Sequence, residues 1–371
     1  MQPPRFSARS ELNTLKRYNS GLTLEDVAQR AGGRKIAKLG SNENPYGPNP
    51  AVKQAMAGAI SRPHIYPDPS ARALAEEIAR KTGVAKERVI FGDGSEDLLN
   101  VLARTVLRPD DEVVTLFPSF PLHEDYAVMM GARVTRIGLT CERRIDLDAL
   151  YTAAARPVRL TLLANPMNPA GVWLVPNELD ALLAAQHPDS LLCLDEAYVE
   201  YAAGPDYVSC FDRLASHDKP LLVLRTFSKA YGLAALRIGY GVSNSEDVIR
   251  AMNLVRTPFN VNGVAQAAAL AAMKHGDEMA VAVAQTVRER ERMAGALADM
   301  GLEVLPSKGN FLFVNCQRPS EQVADQLIDL GVIVKPWKQA GYEDFLRVSV
   351  GLAWENDQFL DALGGLLQRR P

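Results

Sequence analysis

Histidine and cysteine are scarce in this chain of 371 residues, at five and four. The cysteines, Cys141, Cys193, Cys210 and Cys316, have no C-x-x-C spacing, and no two histidines stand four apart. Neither a disulfide framework nor a metal site is therefore expected. No apolar run approaches the ~18 residues of a membrane helix. The opening MQPPRFSARS has charge but no apolar segment behind it, so no secretory leader is read and a cytoplasmic protein without membrane contact is expected. Internal repeats and low-complexity tracts are missing too. Nor does one sign of charge prevail, with 41 Lys and Arg against 44 Asp and Glu. Residues 1–40 nevertheless carry eight Lys and Arg against three Asp and Glu, which leaves the remainder at about −8. This basic arm is read as a solvated or interface-forming extension, and no nucleic acid partner is expected.

One segment of the arm tests that reading. TLEDVAQRAGG (Thr23 to Gly33) resembles the first helix and turn of a helix-turn-helix, which requires a recognition helix after the turn. The chain continues instead as KIAKLGSNENPYGPNP, whose Gly40, Pro45, Gly47, Pro48 and Pro50 exclude one. A lone amphipathic helix is expected, with Leu24, Val27, Ala28 and Ala31 on one face.

What the chain does contain is the composition of a globular protein, 47% apolar and 23% charged, with a length that suggests two domains at ~150 residues each. β-rich runs alternate with helical periodicity from about residue 88. Arg88 to Gly92, Glu112 to Phe117, Arg133 to Ile137, Arg159 to Ala164, Leu191 to Asp195, Leu221 to Thr226 and Arg237 to Val242 read as seven strands. Near-continuous apolar strands between helices predict the α/β class, a mainly parallel sheet covered on both faces. After about Val264 two long helical stretches (264–275 and 277–300) precede strands near 303, 311–315, 332–334 and 345–350 and a last helix at 356–368. This reads as a smaller α+β domain.

Ligands of open parallel sheets sit beyond the carboxyl ends of the strands. The loops there are GDGSED, FPSFP, NPMNPAG, DEAY and TFSKAYG, starting at Gly92, Phe117, Asn165, Asp195 and Thr226. Lys229, flanked by Thr226 and Ser228 and followed by Arg237, suits an imine-forming amine beside a phosphate site. GDGSED opens a helix near Ser95 whose free N–H groups suit an anion, yet it lacks the P-loop and G-x-G-x-x-G spacings, which disfavours a nucleotide.

A lysine for an imine, an acid for a ring nitrogen, a phenol for a ring oxygen and a cluster for a phosphate together specify pyridoxal 5'-phosphate. The chain resembles fold-type I aminotransferases, most closely the histidinol-phosphate aminotransferase family. The matching blocks are KLGSNENPYGP, IYPDP, GDGSEDL, NPMNPAG, DEAYVEY, RTFSKAYGLAALRIGYG, GNFLFV and FLRVSVG, spanning Lys38 to Gly351. The resemblance implies that Lys229 binds the cofactor and moves the proton, that Asp195 pairs with the ring nitrogen, and that Tyr198 and Asn168 bond the ring oxygen. Phe120 is expected to stack on the ring. The backbone amides of Ser95 and Glu96, with Thr226, Ser228 and Arg237, are expected to hold the phosphate, with Tyr66 reaching the phosphate of a neighbouring subunit.

For substrate, the resemblance assigns Arg347 to a carboxylate and brings Tyr18 and Asn42 over the site. Lys335 and Trp337, in VIVKPWKQ, depart from the family, which commonly has an arginine and smaller residues near the substrate phosphate. The implied activity is transfer of an amino group between histidinol phosphate and 2-oxoglutarate by a ping-pong cycle in a homodimer with composite sites. An aromatic amino acid aminotransferase and a threonine-phosphate-type decarboxylase are the alternatives. The implied layout is an arm at 1–45 that joins the small domain and the dimer contact, a large domain at 46–275 and a small domain at 276–371.

Overall fold

The computed structural model describes residues 7–19 and 21–368, so the outermost ends of the expected arm and C-terminal segment lie outside the described residues. In chain order the strands of its first part are β1 (Ala37–Lys38), β2 (Val89–Gly92), β3 (Glu112–Leu116), β4 (Arg133–Ile137), β5 (Leu160–Ala164), β6 (Leu191–Asp195), β7 (Leu221–Thr226) and β8 (Gly239–Ser243). β2 to β8 form one seven-stranded sheet in the order β2-β8-β7-β6-β5-β3-β4. Strands β3 to β7 pair in parallel, while β8 runs antiparallel to both β2 and β7. The seven strands expected from the sequence are these. β8 begins two residues late because Arg237 adopts a left-handed backbone, φ 56°, which turns the chain before pairing can start.

The strands are apolar throughout because both faces are covered. Alternation divides their side chains: Leu191, Cys193, Leu222 and Leu224 pack with Ile249 and Met252, whereas Leu192, Leu194, Leu221 and Val223 pack with Ala265, Ala268 and Ala269. Helices close by sequence-coded caps. Asn49, Asp146 and Asn262 each accept a hydrogen bond from the backbone N–H three residues on, at 2.9, 3.0 and 2.8 Å. From β3 the chain steps out to the edge strand β4 and returns to β5 on the other side of β3. The loops after β3 and β5 therefore diverge and leave a crevice.

The later strands are β9 (Glu303–Leu305), β10 (Phe311–Asn315), β11 (Val332–Ile333), β12 (Lys335–Pro336) and β13 (Phe345–Ser349). Four of them form an antiparallel sheet, β12-β13-β10-β9. The strand expected at 332–334 is the shorter β11, which pairs in parallel with β1 of the arm, and after Val334 the chain crosses to β13 as β12, which was not expected. Ala37 and Leu39 accordingly share a second core with Leu312, Val314, Leu346, Val348, Phe359 and Leu363. The final helix, Ala353–Gln368, starts three residues before its expected position.

The arm's helix is short, Leu24–Ala28, with Thr23 and Asp26 exchanging capping hydrogen bonds at 3.2 and 2.8 Å. Its apolar face is narrower than expected. Val27 and Ala31 are buried, Val27 against Ile328 and Ile333, but Leu24 and Ala28 are exposed because so short a helix docks on one line of contact. Turns and β1 follow, and the next helix starts only at Pro50, too far on to be a recognition helix, which removes the helix-turn-helix reading. Arg30 fastens this element through Asp325 and Asp329 at 2.7 and 2.9 Å.

Leu192 is fully buried on the central strand β6. Leu192→Ala is expected to destabilise the protein by about 2–5 kcal/mol, read as a lower denaturation midpoint with an unchanged slope. A shift worth less than about 0.5 kcal/mol would contradict this account of the core.

Candidate active site

A cavity of about 840 Å³ opens at the carboxyl ends of the central strands. Tyr18, Ser95, Glu96, Phe120, Asn168, Asp195, Tyr198, Thr226, Ser228, Lys229, Arg237, Lys335, Trp337 and Arg347 all line it. Two of the residues expected at the site, Asn42 and Tyr66, do not.

Lys229 lies in the turn after β7, a position that aims its side chain across the sheet end. Its Nζ donates to the carbonyl of Ser41 at 3.2 Å. Burial, with a further contribution from Arg347, lowers its pKa to about 8, so a useful fraction of the amine is neutral near physiological pH.

Asp195 ends β6, where its Oδ1 accepts from the N–H of Ala197 at 3.1 Å. Its Oδ2 lies 3.2 Å from Nε2 of His123, a buried residue of the helix Pro121–Met129. The sequence reading missed His123. Its available signal was the spacing of three residues from Phe120, one helical turn, and the rings do meet edge to face at 5.7 Å. The imidazole contacts the carboxylate from within the protein and fixes its orientation.

Asn42 was expected to close over a substrate but is buried, with a left-handed backbone at φ 53°. Its Nδ2 donates to Tyr198 Oη at 3.0 Å and its Oδ1 accepts from Ser349 Oγ at 3.0 Å. Asn42 thus orients the phenol, whose own hydrogen remains available to a cavity occupant. Burial raises the Tyr198 pKa to about 12 and keeps that hydrogen in place.

Gly94, Ser95 and Arg237 form a tight hollow. Gly94, rather than Ser95, occupies the position before the helix Ser95–Val106, with φ 85°. A Cβ there would come within 2.5 Å of Arg237 Nη2, and one on Gly239 within 2.3 Å of the Ser95 N. Only glycine leaves this space open. The first-turn N–H groups of the helix have no intrahelical acceptors. Thr226 Oγ1 accepts from the N–H of Ser228 at 3.1 Å, leaving its own hydrogen to donate. Amides, hydroxyls and a guanidinium around an opening that excludes a methyl group are a donor set for a phosphate.

Arg347, on β13, is buried. Nη1 donates to Asn168 Oδ1 at 2.9 Å and Nη2 to the carbonyl of Gly40 at 2.7 Å, while Nε is buried without a partner among the described residues. The guanidinium lies 5.9 Å from the ring centres of both Phe311 and Trp337. Trp337 is itself committed, donating from Nε1 to Gln339 Oε1 at 2.9 Å and meeting Phe313 edge on. Lys335 Nζ donates to the carbonyl of Asn19, and burial followed by the Arg347 charge lowers its pKa to about 8. Tyr18 lines the cavity, edge to face with Phe120 at 6.0 Å. Tyr66 is 78% exposed, stacked on Phe259 at 4.6 Å.

The chain matches a family model described as aminotransferase class I and II over residues 34–363. It is 49% identical to a histidinol-phosphate aminotransferase of Mesorhizobium japonicum over 359 residues, covering 97% of this chain and 98% of the relative. A second such protein, from Rhizobium meliloti, is 47% identical and covers 98% of each chain. Among solved structures, histidinol-phosphate aminotransferase from Sinorhizobium meliloti in complex with pyridoxal-5'-phosphate superposes with a TM-score of 0.88, at 29% identity and with 98% of each chain covered. L-threonine-O-3-phosphate decarboxylase from Porphyromonas gingivalis, at 22% identity and a TM-score of 0.77 over 90% of this chain and all of its own, shares the fold.

With its pKa near 8, Lys229 is expected to react with an amine-selective reagent in the cofactor-free protein at a rate that rises with pH, half-maximal at about 8. Peptide mapping of the modified lysine across a pH series measures this. A midpoint near the ordinary lysine value, ~10.4, would contradict the buried setting.

Proposed function

The chain belongs to the class I and II aminotransferases, and within them to the histidinol-phosphate aminotransferase family, and from this premise we propose that it moves an amino group between histidinol phosphate and 2-oxoglutarate by a ping-pong cycle. It is a pyridoxal-phosphate-dependent transaminase. The observation that carries the reading is the gathering of a lysine with a lowered pKa, a buried acid, an oriented phenol and two arginines around one cavity. When bound, pyridoxal 5'-phosphate supplies an aldehyde carbon that carries the amino group and a ring that accepts electrons.

The residues fit that group by their donor chemistry. The glycine-bounded hollow of Ser95, Glu96, Thr226, Ser228 and Arg237 is our assignment for its phosphate. Asp195, oriented by His123, presents a carboxylate to the ring nitrogen, and Phe120 offers its ring face. Arg347 holds Asn168 Oδ1, so Asn168 Nδ2 faces the cavity side as a donor. Tyr198 Oη, already accepting from Asn42, donates likewise. Lys229 Nζ accepts the proton lost from the substrate α-carbon and returns it.

The substrate's phosphate carries about 1.5–2 negative charges near neutral pH, which Lys335 attracts as a point charge. Trp337 has its N–H and one edge engaged by Gln339 and Phe313, which favours a role in bracketing Arg347 over one in binding an aromatic amino acid. We further propose a homodimer in which Tyr66, outside its own cavity, serves the neighbouring subunit, together with the division into 1–45, 46–275 and 276–371. The four unpaired cysteines favour a reducing, cytoplasmic setting.

A half-reaction survey tests the activity. Histidinol phosphate is expected to bleach the cofactor band and 2-oxoglutarate to restore it, with Lys229→Ala abolishing both. A wild-type preference for phenylalanine of a hundredfold, about 2.7 kcal/mol in the barrier, would overturn the substrate assignment. The dimer has its own test: cofactor retention and activity should fall together on dilution, and Tyr66→Phe should weaken cofactor binding. A fully active monomer would contradict it.

A further inference from the structure

Four carboxylates line the cavity, and three of them are committed. Asp195 faces His123 and the N–H of Ala197. Glu124 accepts from Arg136 at 2.7 Å and from Ser119 Oγ at 3.1 Å. Glu96 accepts from the Tyr126 hydroxyl and lies 3.9 Å from Arg237. The fourth, Asp125, has no hydrogen bond or ion pair among the described residues. It is half-buried, and burial, reinforced by the charge of Glu124, raises its pKa with no opposing contribution from any cation of the chain.

The surroundings of Asp125 narrow what it can bind. It stands on the helix Pro121–Met129, four residues after Pro121 and three after Leu122, so the three share one face and all line the cavity. Phe120 directly precedes that helix. An apolar strip ending in one free carboxylate suits a flat ring that carries an N–H donor, since a ring without one would leave a partly desolvated carboxylate unpaired. The cations of the cavity serve the opposite charge. We propose that Asp125 is a specificity-determining residue that accepts a hydrogen bond from the imidazole N–H of the amino donor. This rests on the histidinol phosphate reading and assigns its ring end to a residue of this chain.

The bond exists before and during the reaction, so its loss should appear in KM more than in kcat. Asp125→Ala is expected to raise KM for histidinol phosphate about tenfold or more relative to that for glutamate, with kcat within about twofold, while Asp125→Asn, which keeps an acceptor oxygen, recovers most of the loss. The preference for histidinol phosphate over phenylalanine should shrink by the same factor. Asp125→Leu, similar in size, repeats the measurement if the alanine variant does not fold. Wild-type enzyme that uses histidinol phosphate, with an Asp125→Ala variant that leaves its kcat/KM relative to glutamate within twofold, would overturn the assignment of Asp125 alone. Wild-type enzyme that rejects histidinol phosphate overturns the proposed function, and this inference with it.

Discussion

A single buried guanidinium joins three parts of the chain that are distant in sequence. Arg347 projects from β13 of the antiparallel sheet, reaches the Gly40 carbonyl of the segment after β1 and holds Asn168 in the loop after β5. Bringing such a charge out of water is costly unless its donors are met, and here Nε remains unmet among the described residues. The two hydrogen bonds and the flanking rings of Phe311 and Trp337 offset part of that cost. The residue proposed to receive a substrate carboxylate is thus also a structural joint of the chain.

The same economy runs through the electrostatics of the cavity. Burial, and after it the charge of Arg347, lowers the pKa of both Lys229 and Lys335, so one cation contributes to the setting of two amines. Two of the acids are paired with donors, His123 for Asp195 and Arg136 for Glu124, which fixes where their negative charge lies before any ligand arrives. Closely packed backbone sets the geometry at the other end: Gly94 and Gly239 let the helix N-terminus, Arg237 and β7 approach closer than any side chain permits.

Much of this was legible in the sequence because it depends on local pattern. Seven apolar runs gave seven strands, and the loops after them held the candidate residues. What the sequence could not display was pairing across distance. The strand read at 332–334 left out β12 because nothing in VIVKP reveals that Lys335 and Pro336 pair with a different partner from Val332 and Ile333. Asn42 read as a substrate contact because its role depends on Tyr198 and Ser349, 156 and 307 residues away. His123 was silent for the same reason, being an ordinary helical residue until β6 brings Asp195 beside it. The arm helix was judged too broadly apolar because periodicity describes a face, while burial depends on what packs there.

The short pairing of β1 with β11 also has a consequence for synthesis. Ala37 leaves the ribosome early, but its partner Val332 follows 295 residues later. At about 5–20 residues per second, the arm waits on the order of 15–60 s for the strand and core that complete it. During that interval the α/β sheet can close from its own contacts, whereas Ala37, Leu39 and the apolar edge of the arm remain without their core. The Gly40 carbonyl likewise waits for Arg347. The nascent chain therefore has the strands of its cofactor-binding framework first and those that enclose its active site last.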